Sequence, residues 1–170
     1  AADDEFARAD KLLPIGGCKI TDFDGFLSLL PATSDRSFAV TMAQFTPPFA
    51  VRARVRTDSA NIRLYYGVGM IILNWEVRTD ELRYHDFATG AAQGYPGRGR
   101  VEPAAWHDIV WDVLRNHTRL AVDGDPRLDV YGDFSDLRGP IGVGPAFNSQ
   151  IMLESLVVYP LGDKPAVPLE

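Results

Sequence analysis

The sequence has 170 residues, with 17 basic and 23 acidic side chains and a formal net charge of −6. This length fits a single domain, and 46% hydrophobic residues are enough to form a packed core. The acidic balance argues against a general nucleic-acid binder, which usually carries a basic excess. The single cysteine, Cys18, excludes an internal disulfide framework and a cysteine-rich zinc site. No apolar run reaches the about 18–20 residues of a membrane span.

The two ends of the chain predict little of the fold. The acidic start has no basic stretch followed by an apolar one, so no signal peptide is predicted, although the missing initiator Met suggests trimming. Asp3 to Leu13 is expected to form a short helix within an N-terminal extension, residues 1–17. Residues 18–161 are then the folded domain and residues 162–170 a C-terminal tail. The sequence leaves open whether the protein is secreted or is part of a larger bacterial-type protein.

From Cys18 onward, apolar and polar residues alternate with the period of two that is typical of β-strands. In Phe49 to Arg56, one face carries Phe49, Val51, Ala53 and Val55, and the other carries Arg52, Arg54 and Arg56. Asp24-Gly25, Gly67-Val68-Gly69 and Asp123-Gly124 are expected to form tight hairpin turns. About ten short strands joined by turns predict an all-β, antiparallel two-sheet sandwich. The strands are predicted at 19–21, 26–29, 49–56, 61–66, 70–77, 81–87, 106–115, 118–122, 127–130, 140–143 and 150–159.

The second half of the chain has a distinctive order of segments. A strand that opens with Trp106 is followed by one that ends in the Asp123-Gly124 turn, and a glycine-rich strand precedes the last strand. This order, over 106–115, 119–124, 139–144 and 151–160, resembles the concanavalin A-like or laminin G-like jelly-roll sandwich. The resemblance implies a two-sheet jelly roll. It also implies, most often, a carbohydrate ligand on a curved, concave sheet face or at the loop rim, although the superfamily includes hydrolases and lyases as well.

The alternation also predicts a polar face across neighbouring strands, with Trp75 on the opposite, core side. Planar groups such as guanidinium, amide and carboxylate bind sugar hydroxyls through paired hydrogen bonds, and aromatic rings stack on the sugar. A solvated face with cross-strand Arg–Glu pairs would have the same composition, so both interpretations stay open. The candidate ligand-binding residues are Arg54, Arg63, Tyr65, Asn74, Glu76, Arg83, His85, Tyr95, Arg98 and Trp106.

Two of these candidates, Tyr95 and Arg98, belong to the glycine-rich segment 88–100. Long connections on a rigid sandwich often carry recognition residues, so this segment is interpreted as a flap at the rim of the site. A mobile surface loop without a binding role would have the same sequence features.

Three functions fit these observations. The first is a non-catalytic domain that binds an oligosaccharide or polysaccharide, and several arginines would suit an anionic one. The second is a polysaccharide lyase or glycoside hydrolase in which Glu76, His85 or Tyr65 acts together with Arg63 and Arg83. The paired-glutamate motif Glu-x-Asp-x-x-Glu of the superfamily's retaining glucanases is absent, as are the motifs of its alginate lyases. The third is a sensory or interaction module of a larger protein.

No metal site or cofactor is predicted, and the oligomeric state is undetermined. Calcium (Ca²⁺) often supports jelly rolls through loop carboxylates, so acidic residues at turns are possible ligands. Such residues are also common at turns that bind no metal. The acids concerned are Asp22, Asp24, Asp123, Asp125, Asp133 and Asp136.

Overall fold

The computed structural model describes residues 4–5, 11–32 and 36–161. Within them the chain forms fifteen β-strands, and no helix is long and apolar enough to cross a membrane. The strands are β1 (Asp4–Glu5), β2 (Leu12–Ile15), β3 (Lys19–Phe23), β4 (Phe26–Leu30), β5 (Phe38–Thr41), β6 (Phe49–Thr57), β7 (Ile62–Tyr66), β8 (Gly69–Leu73), β9 (Glu81–His85), β10 (Ala92–Pro96), β11 (His107–Val113), β12 (His117–Val122), β13 (Asp125–Tyr131), β14 (Gly142–Gly144) and β15 (Ile151–Pro160).

The strands form two antiparallel sheets. Sheet A has eight strands in the order β13-β12-β11-β6-β15-β4-β3, with β1 paired to β15. Sheet B has seven strands in the order β10-β9-β8-β7-β14-β5-β2. The apolar residues of both sheets contribute to one buried cluster, as in a β-sandwich. The predicted all-β, two-sheet jelly-roll sandwich is confirmed.

The core follows the predicted alternation most closely in sheet A. Phe49, Val51, Ala53 and Val55 of β6 are all buried, while the arginines between them face outward. Trp111 of β11 is fully buried, and its indole N–H donates to Thr118 Oγ1 at 3.0 Å. Burial of this apolar surface is the main source of the stability of the sandwich.

Phe87 lies at the centre of the core. Its ring centroid is 5.4–5.8 Å from those of four other aromatic residues, with the rings tilted or edge-on to it. Such tilted contacts stabilise aromatic clusters beyond the area that they bury. The four residues are Tyr66, Tyr84, Trp111 and Phe134.

The predicted hairpins are also present. Val122 pairs with Asp125, so Asp123 and Gly124 form a two-residue turn in which both residues have positive φ angles, 50° and 81°. Two positive φ angles match the right-handed twist of the strands that such a turn joins, and Asp-Gly is one of the pairs that favours them. Asp24-Gly25 makes the corresponding turn between β3 and β4.

The sequence prediction is wrong in the first part of the chain. Parts of the predicted helix Asp3 to Leu13 are described, and strands form there: Asp4–Glu5 pairs with β15, and Leu12 begins β2. Residues 6–10 lie outside the described part. Because β2 is the edge strand of sheet B, the sandwich takes in part of the segment expected as an N-terminal extension. Pro14 interrupts the alternation of β2, and an edge strand tolerates it because one side makes no ladder bonds. The expected tail, 162–170, lies outside the described residues.

Two further strands, β5 and β10, were not predicted. The glycine-rich segment 88–100 is not a simple connection, because its middle forms β10, which pairs with β9 from Ala92 to Pro96. An edge strand with glycine, proline and no apolar alternation has no period-two signal, so its sequence resembles a loop. The middle of the predicted flap is therefore part of sheet B.

Candidate functional site

Five of the predicted polar residues lie together on or beside the outer face of sheet B: Arg63, Tyr65, Glu76, Arg83 and His85. Arg63 of β7, Ile72 of β8 and Arg83 of β9 are cross-strand neighbours. The next row is formed by Tyr65, Met70 and His85. Since neighbouring strands lie about 4.8 Å apart, the two arginines are separated by about 10 Å, as are Tyr65 and His85. With the residues that contact them, they form the sheet-B face: Arg63, Tyr65, Trp75, Glu76, Glu81, Arg83 and His85.

Arg63 is held in one orientation. Its side chain is only 5% exposed, and Nη2 donates to Glu76 Oε1 at 3.2 Å. Its Nε donates to Asn61 Oδ1 at 3.1 Å, and the guanidinium lies 5.7 Å from the ring centroid of Phe147. A buried arginine with a carboxylate partner and an amide partner cannot reorient without losing charge-assisted hydrogen bonds.

Arg83 is held in a similar way by different partners. Its Nη1 donates to Glu81 Oε2 at 3.1 Å, and its guanidinium lies 4.7 Å from the ring centroid of Trp75, within cation–π range. Glu81 is buried and also accepts from Arg78. Gly94 of β10 lies beneath this pair, and a Cβ there would collide with the Glu81 carboxylate. The glycine therefore lets the ion pair lie close to the sheet.

Trp75 was expected in the core, and this expectation is wrong. β8 ends at Leu73, and Asn74 has a φ of 52°, so the strand alternation stops and Trp75 is placed against Arg83 on the outer side. Asparagine adopts positive φ more readily than most residues. The polar run that follows, Glu76 to Asp80, was the other sign in the sequence that the strand ends here.

Asn74 was expected on the polar face, and this placement is also wrong. Its side chain is buried: Oδ1 accepts from the Val101 amide at 2.6 Å, and Nδ2 donates to the Val101 carbonyl at 2.8 Å. These bonds attach the end of β8 to the segment before β11. Asn74 therefore positions the loop that carries Trp75 and does not itself lie on the sheet-B face.

Sequence reasoning missed Phe38, because β5 was not predicted. Its ring stacks on that of Tyr65, with centroids 3.9 Å apart and an interplanar angle of 15°. The stack lies over two glycines of β14, and a Cβ at Gly144 would approach Phe38 Cβ to 2.5 Å. Glycines at alternate positions of a strand were the available signal, since they mark a place where another group approaches the backbone closely.

A cavity of about 470 Å³ adjoins this aromatic stack. Its size is within the range of small-ligand sites. It continues the sheet-B face toward the Gly67-Val68 turn, with an arginine on each of two loops. Its lining includes Arg36, Phe38, Val40, Tyr65, Arg138 and Gly142.

His85 is the titratable group of the sheet-B face whose pKa is clearly shifted. Partial burial lowers the pKa of His85, and the nearby guanidiniums of Arg83 and Arg63 lower it further. The imidazole is therefore neutral at neutral pH, so it can donate one hydrogen bond and accept another. A neutral base beside two cations can bind a polar ligand or accept a proton from one.

The remaining candidates lie elsewhere. Arg54 is on the outer face of sheet A, where Nε donates to Glu154 at 2.9 Å and Nη1 donates to Asp108 at 3.1 Å. Trp106 precedes β11 on the same outer side, within 6.0 Å of the Arg54 guanidinium. The ten candidates therefore do not form one site.

Tyr95 and Arg98 lie at a third location, the edge of sheet B. Tyr95 packs against the core next to Leu82, and Arg98 Nη1 donates to the Pro126 carbonyl at 3.2 Å. Arg127 in turn donates to the Arg98 carbonyl at 2.9 Å. These contacts connect β10 and the loop after it to β13 of sheet A. Across the described residues, no group of three or more His, Cys, Asp or Glu side chains could hold a metal ion.

No protein-family model matches the chain, and no curated protein matches its sequence. Solved structures do match. A prokaryotic β-1,3-1,4-glucanase (lichenase) derived from a mouse hindgut metagenome superposes with a TM-score of 0.68 at 14% identity, covering 94% of this chain and 99% of that one. The carbohydrate-binding module CBM66 from Bacillus subtilis gives 0.65 at 11% identity, covering 85% and 93%. The exoplasmic/lumenal domain of VIP36 in its Ca²⁺/Man-bound form gives 0.62 at 9% identity, covering 90% and 88%.

The chain has the concanavalin A-like jelly-roll fold. The resemblance expected from the order of segments is thus confirmed along nearly the whole chain. At such low identity the similarity establishes the architecture alone, because one fold carries many functions. What this jelly roll binds depends on its own surface residues, above all those of the sheet-B face.

Proposed function

We propose that this jelly-roll domain binds a glycan on the sheet-B face. The observation that carries the proposal is the Trp75–Arg83–Glu81 arrangement. An aromatic ring, a guanidinium and a carboxylate are fixed in contact on an open sheet surface. Sugar hydroxyls both donate and accept hydrogen bonds, so a guanidinium and a carboxylate side by side can satisfy both functions of a hydroxyl pair. The partly exposed indole ring of Trp75 offers an apolar surface for the sugar ring.

Pre-organisation supports the proposal. Arg63 and Arg83 are already fixed by Glu76 and Glu81, so a ligand does not have to order two long side chains when it binds. Among the similar solved structures are a carbohydrate-binding module and the VIP36 domain in its Ca²⁺/Man-bound form, which agrees with a glycan ligand.

The charge balance favours an acidic glycan, for example one that contains uronate. Three arginines accompany two glutamates on and beside the sheet-B face, and Arg36 and Arg138 line the adjoining cavity. Burial lowers the pKa of His85, and the positive charges of Arg83 and Arg63 lower it further, which agrees with an excess of positive charge on this face. Arginine is well suited to bind a carboxylate through two parallel hydrogen bonds.

The proposal is tested by screening the purified domain against neutral and uronate-containing oligosaccharides and measuring affinity for each binder by calorimetry. We expect Arg83→Met and Trp75→Ala each to weaken binding about tenfold or more, equivalent to at least about 1.4 kcal/mol. Arg52→Met is the matched control, because Arg52 is an exposed arginine on the outer face of sheet A. The proposal fails if no oligosaccharide binds, or if folded Arg83→Met and Trp75→Ala proteins both bind as tightly as the control.

A lyase is the second candidate, favoured by the neutral His85 beside Arg83 and Arg63. In a β-elimination, the imidazole would remove the proton next to the uronate carboxylate while a guanidinium stabilises the charge that develops there. The bond to the leaving sugar oxygen then breaks, and that oxygen takes up a proton. Incubation with a polyuronate tests this: the unsaturated product absorbs ultraviolet light, and its formation should require His85. Tight binding without any such product leaves the binding function alone.

A further inference from the structure

A second cavity lies on the opposite side of the sandwich, on the outer face of sheet A. It has a volume of about 480 Å³, similar to the cavity beside Tyr65. The hairpin between β3 and β4 forms one wall, and β6 and β15 form the floor. We call it the sheet-A cavity; the residues that matter for its chemistry are Phe23, Phe26, Arg56, Trp106, Gln150 and Glu154.

One side of the sheet-A cavity is aromatic. The rings of Phe23 and Phe26 are stacked with centroids 5.3 Å apart, and Phe26 meets Trp106 edge-on at 6.0 Å. Phe23 remains 48% exposed at the hairpin. A continuous bank of three aromatic rings at the surface is unusual for a solvated sheet face and is typical of a binding site.

The other side of the sheet-A cavity is polar. Its arginine, Arg56, has hydrogen-bonding capacity that no described residue uses. Among the described residues Arg56 has no ion pair, and its buried Nε has no hydrogen-bond partner. Arg54, two residues earlier on the same face, is bound by both Asp108 and Glu154. Burying part of a guanidinium without an acceptor is unfavourable, so a ligand oxygen that accepts from the Arg56 guanidinium in the cavity would offset part of that penalty.

We infer that the sheet-A cavity is a second glycan-binding site, which takes one pyranose unit. Stacking of the sugar on Trp106 or Phe23 would bury its apolar face, while Arg56 donates to a hydroxyl and Glu154 accepts from one. The ligand class follows from this cavity's own residues, and the inference goes beyond the proposed function by placing a site on the opposite sheet. A domain with both sites could bind two polysaccharide chains, or two segments of one chain, and thereby gain avidity.

The three tryptophans allow both sites to be tested in one experiment. Trp75 lies on the sheet-B face, Trp106 lines the sheet-A cavity, and Trp111 is fully buried and serves as an internal control. The three indole N–H signals of the nitrogen-labelled protein are assigned by single Trp→Phe variants. They are then followed in NMR titrations with methyl β-glucopyranoside, methyl β-galactopyranoside and glucuronate. We expect the Trp106 signal to shift saturably with at least one of these sugars, at millimolar concentrations, while Trp111 stays unchanged.

Variants make the assignment specific. Arg56→Met should abolish the Trp106 shift and leave any Trp75 shift intact, whereas the matched exposed arginine variant Arg52→Met should leave both unchanged. A full set of Trp111 and backbone signals shows that each variant is folded. If the Trp106 shift persists at wild-type affinity in Arg56→Met, the site as inferred is wrong.

The outcomes separate the two proposals. Shifts at Trp75 alone overturn the second site and support the proposed function. Shifts at Trp106 alone support the second site and count against a glycan site on the sheet-B face. No shift at either residue overturns the second site and, with a negative oligosaccharide screen, the proposed function too. A Trp106 signal that moves with protein concentration instead of sugar means that a second copy of the chain covers the cavity, which also overturns the inference.

Discussion

The outer faces of the two sheets carry arginines at alternate strand positions, yet these arginines have very different surroundings. On sheet A, the side chain of Arg54 is 39% exposed and lies between two exposed carboxylates. On sheet B, the side chain of Arg63 is 5% exposed and is held by Glu76 and Asn61. At these two positions, the same pattern of alternation therefore produces a solvated ion pair around Arg54 and a fixed, largely desolvated one around Arg63.

Glycine accounts for much of this difference. On sheet B, the Arg83–Glu81 pair lies over Gly94, and Phe38 lies over Gly144, because neither glycine has a Cβ to lift the neighbouring side chain away from the backbone. The central strands of sheet A, β6, β11 and β15, contain no glycine. The outward side chain of Arg54 on β6 has no such gap to fill, and it extends toward water. A sheet face becomes a rigid polar surface when small residues let large ones lie flat on it.

The largest expected effect is the loss of a buried arginine compared with an exposed one. Arg63→Met should lower the free energy of unfolding by about 2–3 kcal/mol, since it leaves the Glu76 carboxylate without its partner at a partly buried site. Arg54→Met should change stability little, because exposed ion pairs are screened by water. Urea unfolding of both variants at neutral pH measures the difference. Equal losses would mean that the surroundings of Arg54 and Arg63 do not differ in energy.

A smaller loss is expected when the space above a sheet-B glycine is filled. Gly144→Ala places a Cβ against Phe38 and should force the Phe38–Tyr65 stack to move, at a cost of about 1–3 kcal/mol. Gly139→Ala is the matched control, because a Cβ there meets nothing within 4 Å and its φ is not positive. Thermal unfolding of the pair compares the two positions. If Gly144→Ala is as stable as Gly139→Ala, the close approach of Phe38 does not constrain the sheet-B face.

The sequence predicted the fold well where strand alternation was regular and uninterrupted. β6 is the clearest case, since Phe49, Val51, Ala53 and Val55 are all buried and Arg54 faces outward as expected. The two-residue turns at Asp24-Gly25 and Asp123-Gly124 were equally predictable, because few dipeptides adopt their backbone angles easily. Short edge strands such as β2 and β10 were missed, since partner strands and not their own alternation hold them in place.

The candidate site was only partly predictable, for two physical reasons. The positive φ of Asn74 ends the strand alternation. As a result Asn74 is buried and Trp75 lies on the outer side, the reverse of what alternation predicts. Residues with the same outward orientation also lie on different sheets, and alternation alone does not say which sheet a strand joins. Arg54 and Trp106 were for that reason grouped with Arg63, although the sandwich separates them. The stacking partner Phe38 depends on a strand pairing that no local pattern revealed.

The smallest expected effect concerns the charge of the two faces on mild acidification. Burial and the neighbouring Arg83 and Arg63 hold the pKa of His85 below its ordinary value of 6.5 in the folded protein. As the pH falls through that ordinary value, the unfolded chain binds this proton first, so the folded state loses stability until the pH drops below the folded-state pKa. On sheet A the hydrogen bond to Asp108 raises the pKa of Arg54, which therefore keeps its charge throughout.

His85→Gln should remove part of the loss of stability between neutral pH and about pH 5, because glutamine binds no proton in either state. Urea unfolding at both pH values for the wild type, His85→Gln and the sheet-A variant Arg54→Met provides the comparison. Arg54→Met should keep the wild-type pH dependence, and His85→Gln should show a shallower one. A steeper dependence in His85→Gln would mean that protonated His85 is stabilised in the folded protein, which is incompatible with a positive potential on the sheet-B face. The same positive potential should make an acidic glycan bind more tightly as His85 becomes protonated, whereas a neutral sugar should show no such gain.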